Sequence, residues 1–418
     1  MKVLLKKVKI VLPESSLNQQ ILDIAVESGK ITKIGKAIAT KGFDHVIKGD
    51  NLHVSPGFFD IGTQTGEPGN EHREDFLSLT AAAAIGGYTE LACFPNTDPI
   101  IDSKATLSYI QSKNRNTHLR IYPIAAISSK TEGKEITEMI DLHQHGAIAF
   151  SDGNSTVSHD KLFQLASQYV VPIDGLVINR PDNKLLSGHG QVHESVVSVE
   201  MGLVGIPDIA EEMGLIRDLY LTAYAGNRYL AYAISSEKSI RKVVEGKKQG
   251  LQVFAAVMAA HLVYTADDMM SFDPMLKVLP PFRGKTDRKA LRNALKKNHV
   301  DIIVSGHQPL EIEAKEKDFA LAEFGISGLE TAFSLANSAL DTETLVQGMA
   351  VNPRKLLGVP VPEIKEGEKA NLTVFSTTEN WVYDESTIKS KGKNSPLLGK
   401  KLKGKVIACV NRKKWVFN

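Results

Sequence analysis

Cysteine is nearly absent. Only Cys93 and Cys409 occur in 418 residues, which excludes a disulfide framework and a thiolate zinc site and suits a reducing compartment. No uninterrupted run of about 18 apolar residues exists, which excludes a hydrophobic membrane-spanning helix. The opening MKVLLKKVKIVLPESS lacks a long apolar core and a small-residue cleavage site, so it reads as a strand and the expected location is cytoplasmic. An excess of one charge is missing too: 50 Lys+Arg face 48 Asp+Glu, a net +2. That excludes the basic footprint of a nucleic-acid binder. What remains is ordinary globular composition, 42% hydrophobic and 23% charged, which argues against a disordered chain.

At roughly 150 residues per domain the length allows two to three domains, or one large barrel with an appendage. Both ends of the chain read as antiparallel β structure. At the start, apolar runs at 3–12, 21–26 and 31–34 flank a turn at 27–30; at the end, runs at 370–375, 406–410 and 415–417 flank a turn at 411–413. These two ends are expected to form one small β-sandwich domain, residues 1–50 with 362–418. Between them, over 51–361, short apolar runs alternate with longer amphipathic segments, the signature of βα units. Eight runs can be counted, at 52–59, 88–94, 119–127, 147–150, 171–178, 229–234, 251–257 and 300–304. Helices are expected at 76–85, 160–168, 209–226, 238–248 and 286–297. Eight such units make an α/β fold of the (β/α)₈ TIM type. The Lys- and Gly-rich stretch 390–405 reads as a solvated loop or edge.

Active sites of this fold lie at the carboxyl ends of the strands. The residues found there make a poor catalytic list: Asp60, Asp152, Asp182, His261 and His307. Nothing forms an evident metal cluster or nucleophile–base pair.

Several segments nonetheless resemble one family. PGFFDIGTQTGEPGNEHREDFLSLTAAAAIGGYTELACFPNT, KVLPPFRGKTDRKAL, EAKEKDFALAEFGISGLET and NPRKLLG are similar to the corresponding blocks of dihydroorotases of the amidohydrolase superfamily, and the likeness spans essentially the whole chain. The resemblance implies an eight-stranded barrel, zinc as the family cofactor and a place in pyrimidine biosynthesis. It also marks what is missing. The positions of the family's His-x-His zinc ligands are Gly62 and Gln64, and that of its substrate-binding Arg is Gly66. Two further zinc histidines are replaced by Asn179 and Ala233. The metal-binding Asp that acts as general acid and base is replaced by Gly306. A later His is Leu310, and a substrate-proximal Asn is Leu279. Asp152 and Asn96 do match family positions, the latter a weak candidate for binding substrate.

Gly62 and Ala233 offer no donor atom, and the amides of Gln64 and Asn179 are weak ligands for Zn²⁺ beside imidazole. Amide hydrolysis needs the activated water and polarised carbonyl that a metal supplies. The expectation is therefore a chain with no catalytic residues and no metal cofactor, a homodimeric pseudoenzyme supporting aspartate carbamoyltransferase assembly, a partner the resemblance implies. Two alternatives stay open: an active cyclic amidohydrolase with a metal site rebuilt from His261, His307 and Asp152, and a small-molecule sensor. The other histidines read as bland. His143 and His145 precede the fourth strand, at the stability end of the barrel. His189 and His193 have chelating spacing, but flanking glycines argue against a helix there. Cys93 reads as core, and Asp60 as a backbone-bonding residue.

Overall fold

The computed structural model describes residues 1–115 and 117–418. Its centre is an eight-stranded parallel sheet, ordered in sequence through Phe58–Thr63, Tyr88–Cys93, Arg120–Ala125, Ala149–Phe150, Leu176–Asn179, Arg228–Ala231, Val253–Met258 and Ile302–Val304. The strands are buried on both faces, as helix-covered parallel strands must be. Each of the eight expected runs overlaps one of these strands, four of them only in part. The expected helices also form, with ends shifted by a residue or two, for example Asp208–Ala225 and Glu237–Lys248. First and last strands meet at their carboxyl ends, where Gln64 N donates to His307 O at 3.0 Å. Asp60 adds a side-chain link: its carboxylate accepts from Ser305 N at 2.7 Å and Ser305 Oγ at 2.6 Å.

A second sheet of eight strands is built from both ends of the chain. Its hinge is the strand Leu52–Pro56, parallel to Lys2–Ile10 on one side and antiparallel to Leu372–Tyr383 on the other. The apolar run at 52–59 is thus two strands, one for each sheet. Continuous hydrophobicity hides the change of partner, because both halves are buried. Phe58, Phe333 and Phe375 join the two sheets, with ring centroids 5.0–5.9 Å apart.

Arg354, in the NPRKLLG segment, locks this junction from below. Fully buried, it pairs with Glu90 at 2.7 Å and donates to the carbonyls of Gly57 and Ala350, each at 2.6 Å.

The stretch 390–405 is not a solvated loop. Ser390, Asn394 and Ser395 are buried, and residues from Lys400 onward enter the strand Lys400–Asn411. Asn394 accepts from Leu310 N at 3.0 Å and donates to Gln308 O at 2.9 Å. Its lysines point outward while its polar residues tie down the loop after the eighth strand; composition alone shows only the lysines.

Candidate functional site

The barrel mouth gathers Gly62, Gln64, Gly306 and Leu279 around one small gap, together with Phe94, Tyr232 and Met258. The gap measures about 30 Å³, room for a water or two. Its smallness has a direct cause. A Cβ on Gly62 would lie 2.5 Å from Tyr232 Oη and 2.7 Å from Phe94 Cε2, and φ there is +86°. A Cβ on Gly306 would lie 2.3 Å from Met258 Cε, with φ +65°. Both are conformations that side-chain-bearing residues rarely adopt. The phenol of Tyr232 packs edge-on against Phe94, centroids 4.9 Å apart. Aromatic and thioether groups thus occupy the volume that side chains at 62 and 306 would enter.

The neighbouring polar residues are committed to one another. Gln64 Nε2 donates to Asn154 Oδ1 at 2.6 Å, and Asn154 N donates to Asn96 Oδ1 at 3.0 Å. Asn96 Nδ2 donates to Asp152 O at 3.2 Å. Asp152 turns its carboxylate to the end of the third strand, accepting from Ile127 N and Ser128 N, both at 2.9 Å. Burial raises its pKa against the pull of those bonds. Asn179 serves Val157 N at 3.0 Å and Asp218 Oδ2 at 2.9 Å. Burial pushes Asp218 up to about 6, although Arg217, Tyr229 and Asn179 favour its ionised form. Ala233 is buried and brings no donor.

Each of the two strand-end histidines has one ring nitrogen hydrogen-bonded and the other buried without a hydrogen bond. His261 is buried, with Nε2 3.0 Å from Pro280 O. His307 Nδ1 accepts from Leu329 N at 3.4 Å, which assigns its proton to Nε2. That nitrogen lies 3.3 Å from the buried carboxylate of Glu74, itself bonded by Ser78 and Ser390. His143 and His145 fall in and just after the helix Met139–Gln144. His189 lies beyond a short helix ending at Ser187, and His193 ends a short strand, so their spacing does not place them on one helix face. Cys93 is buried, its thiol pushed upward by burial.

Among the described residues no group of three or more His, Cys, Asp or Glu is placed to hold a metal ion. The residues present do not fit zinc held as the resemblance would hold it: the donors are gone and the space is filled. Sequence reasoning missed the groups that fill it. Tyr232 is adjacent to Ala233 and Met258 ends the seventh strand, but each reads as an ordinary core residue in a buried run. Arg180 and Glu74 were also missed; for Arg180, a charged residue directly after the strand Leu176–Asn179 was the available signal.

Comparison with known proteins agrees with this architecture. Residues 52–239 match the family model described as Dihydro-orotase-like. The chain is 36% identical over 414 residues to the dihydroorotase of Syntrophus aciditrophicus (strain SB), covering 97% of each chain. It is 36% identical over 411 residues to that of Acetivibrio thermocellus, covering 97% of this chain and 96% of the relative. Among solved structures, the L-hydantoinase (dihydropyrimidinase) from Arthrobacter aurescens superposes with a TM-score of 0.86 at 21% identity, over 100% of this chain and 96% of the other. The dihydropyrimidinase from Brevibacillus agri NCHU1002 gives 0.82 at 18% identity, covering 100% and 95%. At that identity the structures speak for the fold.

Proposed function

Because the chain belongs to the dihydroorotase family, we propose that it is a non-catalytic member, a cytoplasmic protein of pyrimidine biosynthesis that supports the assembly of aspartate carbamoyltransferase. The observation that carries this reading is the filled mouth. Tyr232, Phe94 and Met258 take the space that a ligand side chain at 62 or 306 would need. Without an activated water and a polarised carbonyl, closing or opening a cyclic amide has no catalyst here.

An assembly role, including a homodimer, is supported by the surface. The helix Asp208–Ala225 exposes Ile209, Met213, Ile216, Tyr220 and Tyr224. Apolar residues grouped in that way mark interaction sites more often than chance placement does.

The test uses tag-free protein from the native organism. Expected are well under one zinc per chain by elemental analysis, no interconversion of carbamoyl aspartate and dihydroorotate, and co-purification of aspartate carbamoyltransferase. A tightly held stoichiometric zinc with turnover overturns the non-catalytic reading. A fully stable transcarbamoylase in cells lacking this chain overturns the assembly role.

A further inference from the structure

Two loops meet at the filled mouth. One passes from Pro274 to Leu279 after the seventh strand, the other from Ile312 to Gly325 after the eighth, and Leu279 and Gly325 both line the gap. Each loop sends one lysine into the other. Lys315 Nζ donates to Pro274 O at 2.9 Å and to Lys277 O at 3.0 Å. Lys277 Nζ donates to Phe319 O at 2.7 Å and to Ala320 O at 3.0 Å. Both lysines are buried, Lys277 at 2% exposure and Lys315 at 0%. We propose that this reciprocal pair is a pH-sensitive clasp on the mouth loops, closed while its amines are neutral and loosened when they take up protons.

The acceptor count carries the argument. Each Nζ meets two carbonyl oxygens, and neither forms an ion pair among the described residues. A neutral amine has two N–H donors and is satisfied there. An ammonium has three, so its third N–H and its charge would be buried without a partner, which costs free energy. The surroundings do not reverse this. Burial, and then the charge of Lys277, push Lys315 down to about 7 against the distant pull of Asp273 and Glu323. Lys277 faces Lys315 and two rings, with Nζ 4.8 Å from the centroid of Phe324 and 5.5 Å from that of Phe319. The rings favour its charged form, yet burial lowers it to about 8. Glu313, Glu316, Lys317 and Asp318 of the same loop are exposed.

When the loops part, both amines return to water and to the ordinary 10.5. The parted loops then hold more protons than the clasp between that value and about 7. Opening is therefore favoured as pH falls through this window, and the effect levels off below it. The clasp goes beyond the non-catalytic reading and does not depend on it. Neither lysine stands at a position the resemblance assigned to metal or substrate.

A nitroxide label read by electron paramagnetic resonance on the full chain tests it. Leu321→Cys places the label on the second loop at a position 69% exposed. Cys93 and Cys409 are buried and do not compete for the reagent. Lys134→Cys, at a side chain 76% exposed after the third strand, carries the control label. The mobile component at 321 is expected to grow about tenfold or more from about pH 9.5 to about pH 7, and to stay level from there to about pH 6. The control label should not follow it. In Lys315→Met, which cannot titrate, most of the pH dependence at 321 should vanish. A flat profile at 321 overturns the proposal, as does an equal change at 134 or an undiminished change in Lys315→Met. If Lys315→Met does not fold, Lys277→Met takes its place under the same criteria, and a flat wild-type profile remains decisive. Zinc-supported turnover would sink the non-catalytic reading without altering label mobility, and a flat profile would leave that reading intact.

Discussion

His261 sits after the seventh strand with its ring centroid 4.8 Å from that of Phe282 and Nε2 facing Pro280 O. The carbonyl can only accept, so Nε2 carries the proton, and Nδ1 is buried with no partner for a second one. Burial pushes the group down from 6.5 to about 4. The sign of the consequence follows. In the unfolded chain the imidazole takes a proton below about pH 6.5, while the folded chain refuses it until about pH 4. The unfolded state therefore binds more protons in that window, and stability is lost as pH falls through it. His261→Gln keeps a donor for Pro280 O and cannot titrate. Calorimetric unfolding should show the wild-type midpoint falling more steeply than the variant's across that window; parallel curves would mean that His261 is not held neutral. Gly62 and Gly306 show how far single residues were legible. Their lack of donor atoms is plain in the sequence. That Tyr232, Phe94 and Met258 move into the vacated volume is not, because a buried Tyr or Met in an apolar run has the same pattern whatever it packs on.

Secondary elements were most legible where burial is uniform. Most of the barrel strands are short apolar runs separated by helices such as Asp160–Val170 and Glu237–Lys248, and hydrophobic periodicity separates the two. Legibility failed where an element's role is set by partners far along the chain. The run 52–59 changes sheets midway, and 390–397 is fixed by Asn394 to the loop at 308–310. The helix Asn352–Leu356 is a third case: its sequence shows a buried-looking Pro and two basic residues, but only the fold brings Arg354 to Glu90. Breaking that pair leaves a carboxylate, 5% exposed, without its cation. Arg354→Met should cost about 3–5 kcal/mol in denaturant unfolding, because the stranded charge is penalised more than the pair itself is favoured. Glu90→Gln added to it should recover part of the loss. A single-variant loss no larger than that of an exposed pair, about 1 kcal/mol or less, would contradict the account.

At the scale of the whole molecule, one long helix turns an apolar face outward. On the helix Asp208–Ala225, the side facing the barrel buries Ala210, Leu215, Leu219 and Thr222. Its other side is not polar. Ile209, Met213, Ile216, Tyr220 and Tyr224 are spaced by four, three, four and four residues and lie along one outward stripe, with Tyr220 77% exposed. The short helix Lys184–Ser187, which packs on it, adds Leu185 at 95% exposure. A helix apolar on both sides suits a packing partner on each, and within this chain only the barrel-facing side is covered. The assembly role therefore makes a prediction that the barrel mouth cannot. Met213→Glu with Tyr220→Glu should separate the chain from its copies or from aspartate carbamoyltransferase, read as a loss of mass in light scattering. Central interface residues of these types carry about 2 kcal/mol or more each when they anchor a contact. The thermal midpoint of the isolated chain should hardly move, since both side chains already face water. An intact complex carrying both substitutions would place the assembly surface elsewhere, while a collapsed midpoint would show that the stripe packs within the chain.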